Sequence, residues 1–158
     1  MGKITVLALR IVLALGLAGS LFVQAVMVPL LAIDLKEAGP DVIAVRTPMV
    51  VIVLLGIVTV QVSMVCVWRL LSMVRRGTVF SRGAFRYVDI VIGAVAAAAL
   101  LTFAMAVVLA PGEAVAPGIV LLLCGGALLV GGVALIVIVL RMLLAQALGM
   151  RAELDEVI

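Results

Sequence analysis

The chain has 158 residues, of which 68% are hydrophobic and 12% charged, with a formal net charge of +3 and a mean hydropathy of +1.53. That is one domain's worth of chain with about half the charge of a soluble domain, which excludes a water-soluble fold. Its lack of histidine removes imidazole from haem, zinc and proton-shuttling chemistry at neutral pH.

A bilayer core of about 30 Å needs about 20 apolar residues at roughly 1.5 Å rise each. The first run of that length is 11–33, and it holds no charge. Lys3 and Arg10 before it, with VQA at 23–25, resemble a secretory leader. The apolar run nevertheless continues through VMVPLLAI to Ile33, so it is read as a retained span. Gly16 and Ser20 give it a notch of small residues. The stretch DLKEAGPDVIAVRTP, 34–48, is expected to be a loop turning at Gly39-Pro40, with Pro48 at the first helical position of span two.

Span two is 49–68. Gln24 lies nine residues from the outer end of span one and Gln61 twelve from the outer end of span two. Antiparallel neighbours would bring them within about one turn of the same depth. An unpaired amide in hydrocarbon is costly, so the two are expected to bond each other or a backbone carbonyl. Glue between helices is the plainer role for them, and a cleft that contacts a small molecule is the alternative. Thr59, Ser63 and Thr102 can bond to their own helices and need no functional role.

RRGTVFSRGAFRYVD, 75–89, joins spans two and three. Gly77 is expected to end a helix in the left-handed conformation, and Ser81 to N-cap the next. Phe80 would pack on Phe85 as a hydrophobic staple. Arg82 and Arg86 then share one helix face, beside Arg75 and Arg76. This basic elbow can rest on anionic headgroups or meet a protein partner. Asp89 begins the apolar part of span three, 90–110, and is expected to pair with Arg86 or Arg69.

PGEAVAPG, 111–118, is a short turn into span four, 119–140. There CGGALLVGG places Gly125 and Gly132 seven apart, and Ala127 with Gly131 four apart. These small residues and Gly93, Ala97 and the run 96–99 predict close packing of spans three and four. Cys66 and Cys124 would lie near opposite ends of the assembly, beyond disulfide reach, as small buried apolar residues. Past Arg141 the apolar pattern persists to a short acidic-apolar tail, with Leu154 and Val157 on one face and Glu153, Asp155 and Glu156 beside them. That tail could fold back on the elbow, dock on a partner, or stay solvated.

Counting Lys and Arg on alternate sides gives Lys3, Arg10, Arg69, Arg75, Arg76, Arg82, Arg86, Arg141 and Arg151 on one side, and Lys36 and Arg46 on the other. The positive-inside rule puts the first side, with both termini, in the cytoplasm. The sequence offers no nucleophile–base pair, metal cluster or phosphate-binding glycine loop. It therefore predicts no enzyme activity, no cofactor and no direct nucleic-acid binding. The apolar spans lack the acid that a proton-coupled exporter would use.

The segment RRGTVFSRGAFRYVDIVIGAV, followed by LGMRAELDEVI, resembles a bacterial family of four-helix membrane proteins catalogued as a domain of unknown function. The resemblance covers nearly the whole chain. It rests on the Gly77–Phe80 turn leading into helix three and on the ending Glu153–Ile158. Members often carry a polar residue such as Asn after that turn, where this chain has Gly83 or Ala84. Genes of the family often lie beside a small helix-turn-helix regulator, which implies a membrane-linked regulatory role, and no catalytic residue is carried over.

The expected protein is therefore all-α: one integral-membrane four-helix bundle over residues 1–158, in a bacterial inner membrane with both termini inside. Its expected role is an accessory or sensor that engages a cytoplasmic regulator through Arg75, Arg76, Arg82, Arg86, Glu153, Asp155 and Glu156. The alternatives are a small-molecule transporter or binder with a polar site at Gln24 and Gln61, and a structural subunit of a membrane complex or homo-oligomer.

Overall fold

The structure, a computed structural model, describes residues 2–37, 39–77, 81–111 and 115–157, apart from the side chains of residues 41 and 42. Among these residues every regular element is helical: α1 (Gly2–Glu37), α2 (Pro40–Arg75), α3 (Arg82–Leu109) and α4 (Pro117–Val157). Each is long and apolar enough to cross a bilayer. The chain is a multi-pass membrane protein.

The helices pack largely in chain order, α1 on α2, α2 on α3 and α3 on α4. The close contacts are made by small residues. Ala84, Ala106, Ala127 and Ala134 are buried together with Leu13, Val28, Cys66 and Leu109, and no polar residue is buried among the described residues. Large apolar side chains instead point outward, Leu121, Leu122, Leu128 and Leu129 on α4 each being 74–78% exposed. A water-soluble protein could not tolerate such a surface, but in lipid it costs little, because acyl chains are as apolar as leucine. The α3–α4 contact expected from sequence is present: a Cβ built on Gly131 would lie 3.8 Å from the Ala99 Cβ. Gly125 and Gly132 have nothing so near, so Ala127, Gly131 and Ala134 define the packed face instead. The notch at Gly16 receives Met64 from α2. Cys66 is buried, Cys124 half-buried, and both are free.

Three local expectations are corrected. The 34–48 stretch is not a loop. Helix α1 runs to Glu37, and α2 already starts at Pro40, with Gly39 as its N-cap and the Ile43 amide bonded to the Gly39 carbonyl at 3.3 Å. Pro40 rather than Pro48 takes the first-turn place where a missing N–H costs nothing. Pro48 sits inside α2, where its ring leaves the Ala44 carbonyl without its usual donor. Two extra helical turns thus precede the apolar span, and Val45 and Arg46 on them are half-buried.

Ser81 is at the N-cap of α3 as expected, but its hydroxyl makes no capping bond; its carbonyl accepts from the Ala84 amide at 3.0 Å. Gly77 does end α2 in the left-handed region, at φ 70°. A glycine there avoids the Cβ–carbonyl clash. The expected Phe80–Phe85 staple involves Phe80, which lies outside the described residues.

α1 also contains a feature that the apolar pattern does not announce. Residues Val23–Met27 form a π-helical turn, closed by the Val28 amide on the Val23 carbonyl. Pro29 lies just beyond it. It cannot donate to the Ala25 carbonyl and its ring crowds that group, so the helix widens by one residue here.

Candidate functional site

The wider turn is where the polar contact inside the spans is made. Gln61 Nε2 on α2 donates to Gln24 Oε1 at 3.0 Å and lies 3.2 Å from Ser20 Oγ, both on α1. All three residues are half-buried. Ser20 also donates to the Leu17 carbonyl at 2.9 Å. The expected meeting of the glutamines is therefore present, with Ser20 as a third member. Pro29, through the π turn, is the sequence signal that marks this place on α1. Next to it a shallow apolar groove of about 360 Å³ runs between α1 and α2, lined by Val23, Val53, Gly56 and Val60 among others.

A larger cavity, about 570 Å³, lies between α2, α3 and α4. Thr59, Ser63 and Thr102 reach it, but each hydroxyl donates to a carbonyl of its own helix at 2.7–2.9 Å. With those donors occupied, the cavity presents an almost wholly apolar wall, formed by residues such as Met64, Ala98 and Met105.

At the basic end, Arg75 finishes α2 and Arg76 caps it, while Arg82 and Arg86 lie in the first two turns of α3; all four are exposed. Asp89 does not pair with Arg86 or Arg69, as the sequence reading expected. Its partner is Arg141 on α4, whose Nη2 donates to Oδ2 at 2.7 Å. The Arg141 Nε stands 2.5 Å from Oδ1 in the same ion pair. The Arg141 guanidinium also lies 5.8 Å from the centre of the Phe85 ring. Sequence spacing favoured a partner on the same or the preceding helix; the register of α4 against α3 decided otherwise. Both groups are a third or more exposed, so the pair contributes little energy.

Arg82 and Phe85 line a groove of about 330 Å³ with Ala145 and Leu148, so the elbow stands level with Leu148 of α4. α4 then continues unbroken to Val157, about 13 Å further at 1.5 Å per residue. Glu153, Asp155 and Glu156 are exposed, and no ion pair joins them to the arginines among the described residues. As far as Val157 the tail therefore does not fold back on the elbow; it projects as helix.

One cluster has no counterpart in the sequence reading. Arg10 of α1 turns toward α2, where its Nη2 donates to Ser72 Oγ at 3.1 Å and its guanidinium lies 5.6 Å from the centre of the Trp68 ring. Ser72 in turn donates to the Trp68 carbonyl at 3.0 Å. An arginine at the edge of the apolar run of α1, with a tryptophan at the corresponding end of span two, is the available signal. Among the described residues no three potential metal-ligating side chains converge.

A family model described as a protein of unknown function, DUF2975, matches residues 30–158. No curated protein and no solved structure matches the chain.

Proposed function

We propose, for a chain that belongs to the DUF2975 family of proteins of unknown function, that it is a non-enzymatic accessory or sensor of the bacterial cytoplasmic membrane. It lies with both termini inside and engages a cytoplasmic protein, such as a transcription regulator. The observation that carries this reading is the projecting end of α4. Beyond the elbow, Met150, Leu154 and Val157 are all more than 60% exposed, on a helix that also carries Glu153, Asp155 and Glu156. An amphipathic helix of this kind fits an apolar groove with a basic rim on a partner. The arginines of the elbow flank its base and would favour an acidic neighbour or the inner-leaflet headgroups. Nine of eleven Lys and Arg on this side support the orientation.

Deleting Glu153–Ile158 is expected to lower recovery of the partner at least about tenfold (roughly 1.4 kcal/mol or more), with membrane abundance unchanged. The measurement is crosslinking and pull-down from native membranes. Equal recovery with and without the tail would remove the basis for this reading.

A further inference from the structure

We infer that Arg10, Trp68 and Arg69 form the headgroup end of a binding site for an anionic phospholipid between α1 and α2. The site depends on the chain lying in lipid and not on the partner proposed above, so either can fail alone.

Among the described residues Arg10 is a charge without an ion-pair partner. Its guanidinium is half-buried and is held by Ser72 and the Trp68 face, both neutral, while its Nε is buried with no partner. The acids on α1 and α2, Asp34, Glu37 and Asp41, lie at the far end of those helices. Asp89, at the near end, is occupied by Arg141. The acids of the projecting tail, Glu153, Asp155 and Glu156, make no ion pair with Arg10 among the described residues. A half-buried guanidinium in this position is therefore stabilised by an anion brought beside it from outside the chain. Arg69 is exposed beside the same groove and likewise has no acidic partner among the described residues.

The shape next to this charge specifies the rest of the ligand. A groove of about 330 Å³ runs along α1 and α2, lined by Ala14, Leu17, Val65, Trp68 and Arg69. Trp68 and Arg69 lie at its basic end. Ala14 and Leu17 follow Arg10 by one and two turns deeper into the span, and Val65 does the same on α2. A cationic mouth leading to an apolar channel in the bilayer matches an amphiphile: a phosphate on Arg10 and Arg69, and an acyl chain along Ala14, Leu17 and Val65. Basic pockets between membrane helices suit such headgroups, and tryptophan suits the interface. The elbow arginines are exposed and make no such contact among those described, whereas Arg10 is already oriented by two partners and loses less freedom on binding.

Trp68 is the chain's single tryptophan, so its fluorescence reports on this site alone. The full chain is placed in phosphatidylcholine vesicles containing an equal fraction of either phosphatidylglycerol or phosphatidylcholine with brominated chains. The brominated phosphatidylglycerol is expected to quench Trp68 with roughly 5- to 30-fold preference. Arg10→Gln, or the exposed Arg69→Gln if the first variant does not fold, is expected to reduce that preference severalfold. Arg151→Gln, which removes the same charge from the projecting tail, should leave it unchanged. Equal quenching by the two lipids would overturn the site. A preference lost equally in Arg151→Gln would reduce it to general surface charge, and relief of quenching by millimolar inorganic phosphate would show that a free anion, not a lipid, is recognised.

Discussion

Ala106→Leu is expected to destabilise the helix assembly by about 1–3 kcal/mol, whereas Leu128→Ala should change it by only a few tenths. Ala106 on α3 is 1% exposed, the least of the buried residues described. Leucine there must displace its neighbours, forcing strained rotamers or moving a helix. Leu128 on α4 is 78% exposed. In water, exposing or removing so large an apolar group would matter for solubility, but in lipid its surroundings are chemically alike before and after. The inverted pattern, with small residues sensitive and large ones tolerant, is the signature of a membrane solvent. Unfolding of the purified protein in mixed micelles of rising denaturing-detergent fraction reads both variants. Comparable losses at the two positions would contradict the packing described.

Gln61→Leu is expected to cost about 1–2 kcal/mol. The change leaves Gln24 Oε1 without its donor at a depth where no water replaces it, while Ser20 keeps its bond to the Leu17 carbonyl. Gln24→Leu together with Gln61→Leu should recover part of that loss, because replacing both partners by apolar groups leaves no orphan. The same unfolding assay, run as a double-mutant cycle, gives the coupling. A small-molecule binding site at these residues gives a different outcome. Single replacements would then alter cellular susceptibility to a compound at unchanged protein abundance, with no recovery of stability in the double variant.

Much of the architecture was legible because the bilayer is a strict solvent. Four uncharged runs of sufficient length left one class of fold, and the amide chemistry of Gln24 and Gln61 predicted their meeting. The ends of the helices were less legible. Outside hydrocarbon, backbone groups can bond water, so apolarity no longer marks the boundary, and α2 starts eight residues before Pro48. The same freedom lets α4 continue through Gly149 to Val157. The pairing of Asp89 with Arg141, and not with Arg86 or Arg69, depends on the axial register of α3 and α4, which spacing along one helix does not contain. The contact of Arg10 with Trp68 and Ser72 depends on the α1–α2 register in the same way.

That same register brings the chemistry of the protein to one end. Arg10, the elbow arginines, the Asp89–Arg141 pair and the root of the projecting helix all lie where α1 starts, α2 ends, α3 starts and α4 leaves the span. The opposite end holds Lys36 and Arg46 as its only Lys or Arg, with Asp34 and Glu37 nearby on α1. Both the partner and the lipid site depend on which compartment the basic end faces.

Cysteine accessibility in intact cells tests this most directly, with Cys66 and Cys124 replaced by alanine. A membrane-impermeant maleimide is expected to label Thr47→Cys in whole cells, and Ser81→Cys only after the cells are opened; both positions are exposed, at opposite ends of the helices. Labelling of Ser81→Cys in whole cells with protection of Thr47→Cys would contradict the orientation, and equal labelling of both before lysis would contradict the spanning arrangement itself.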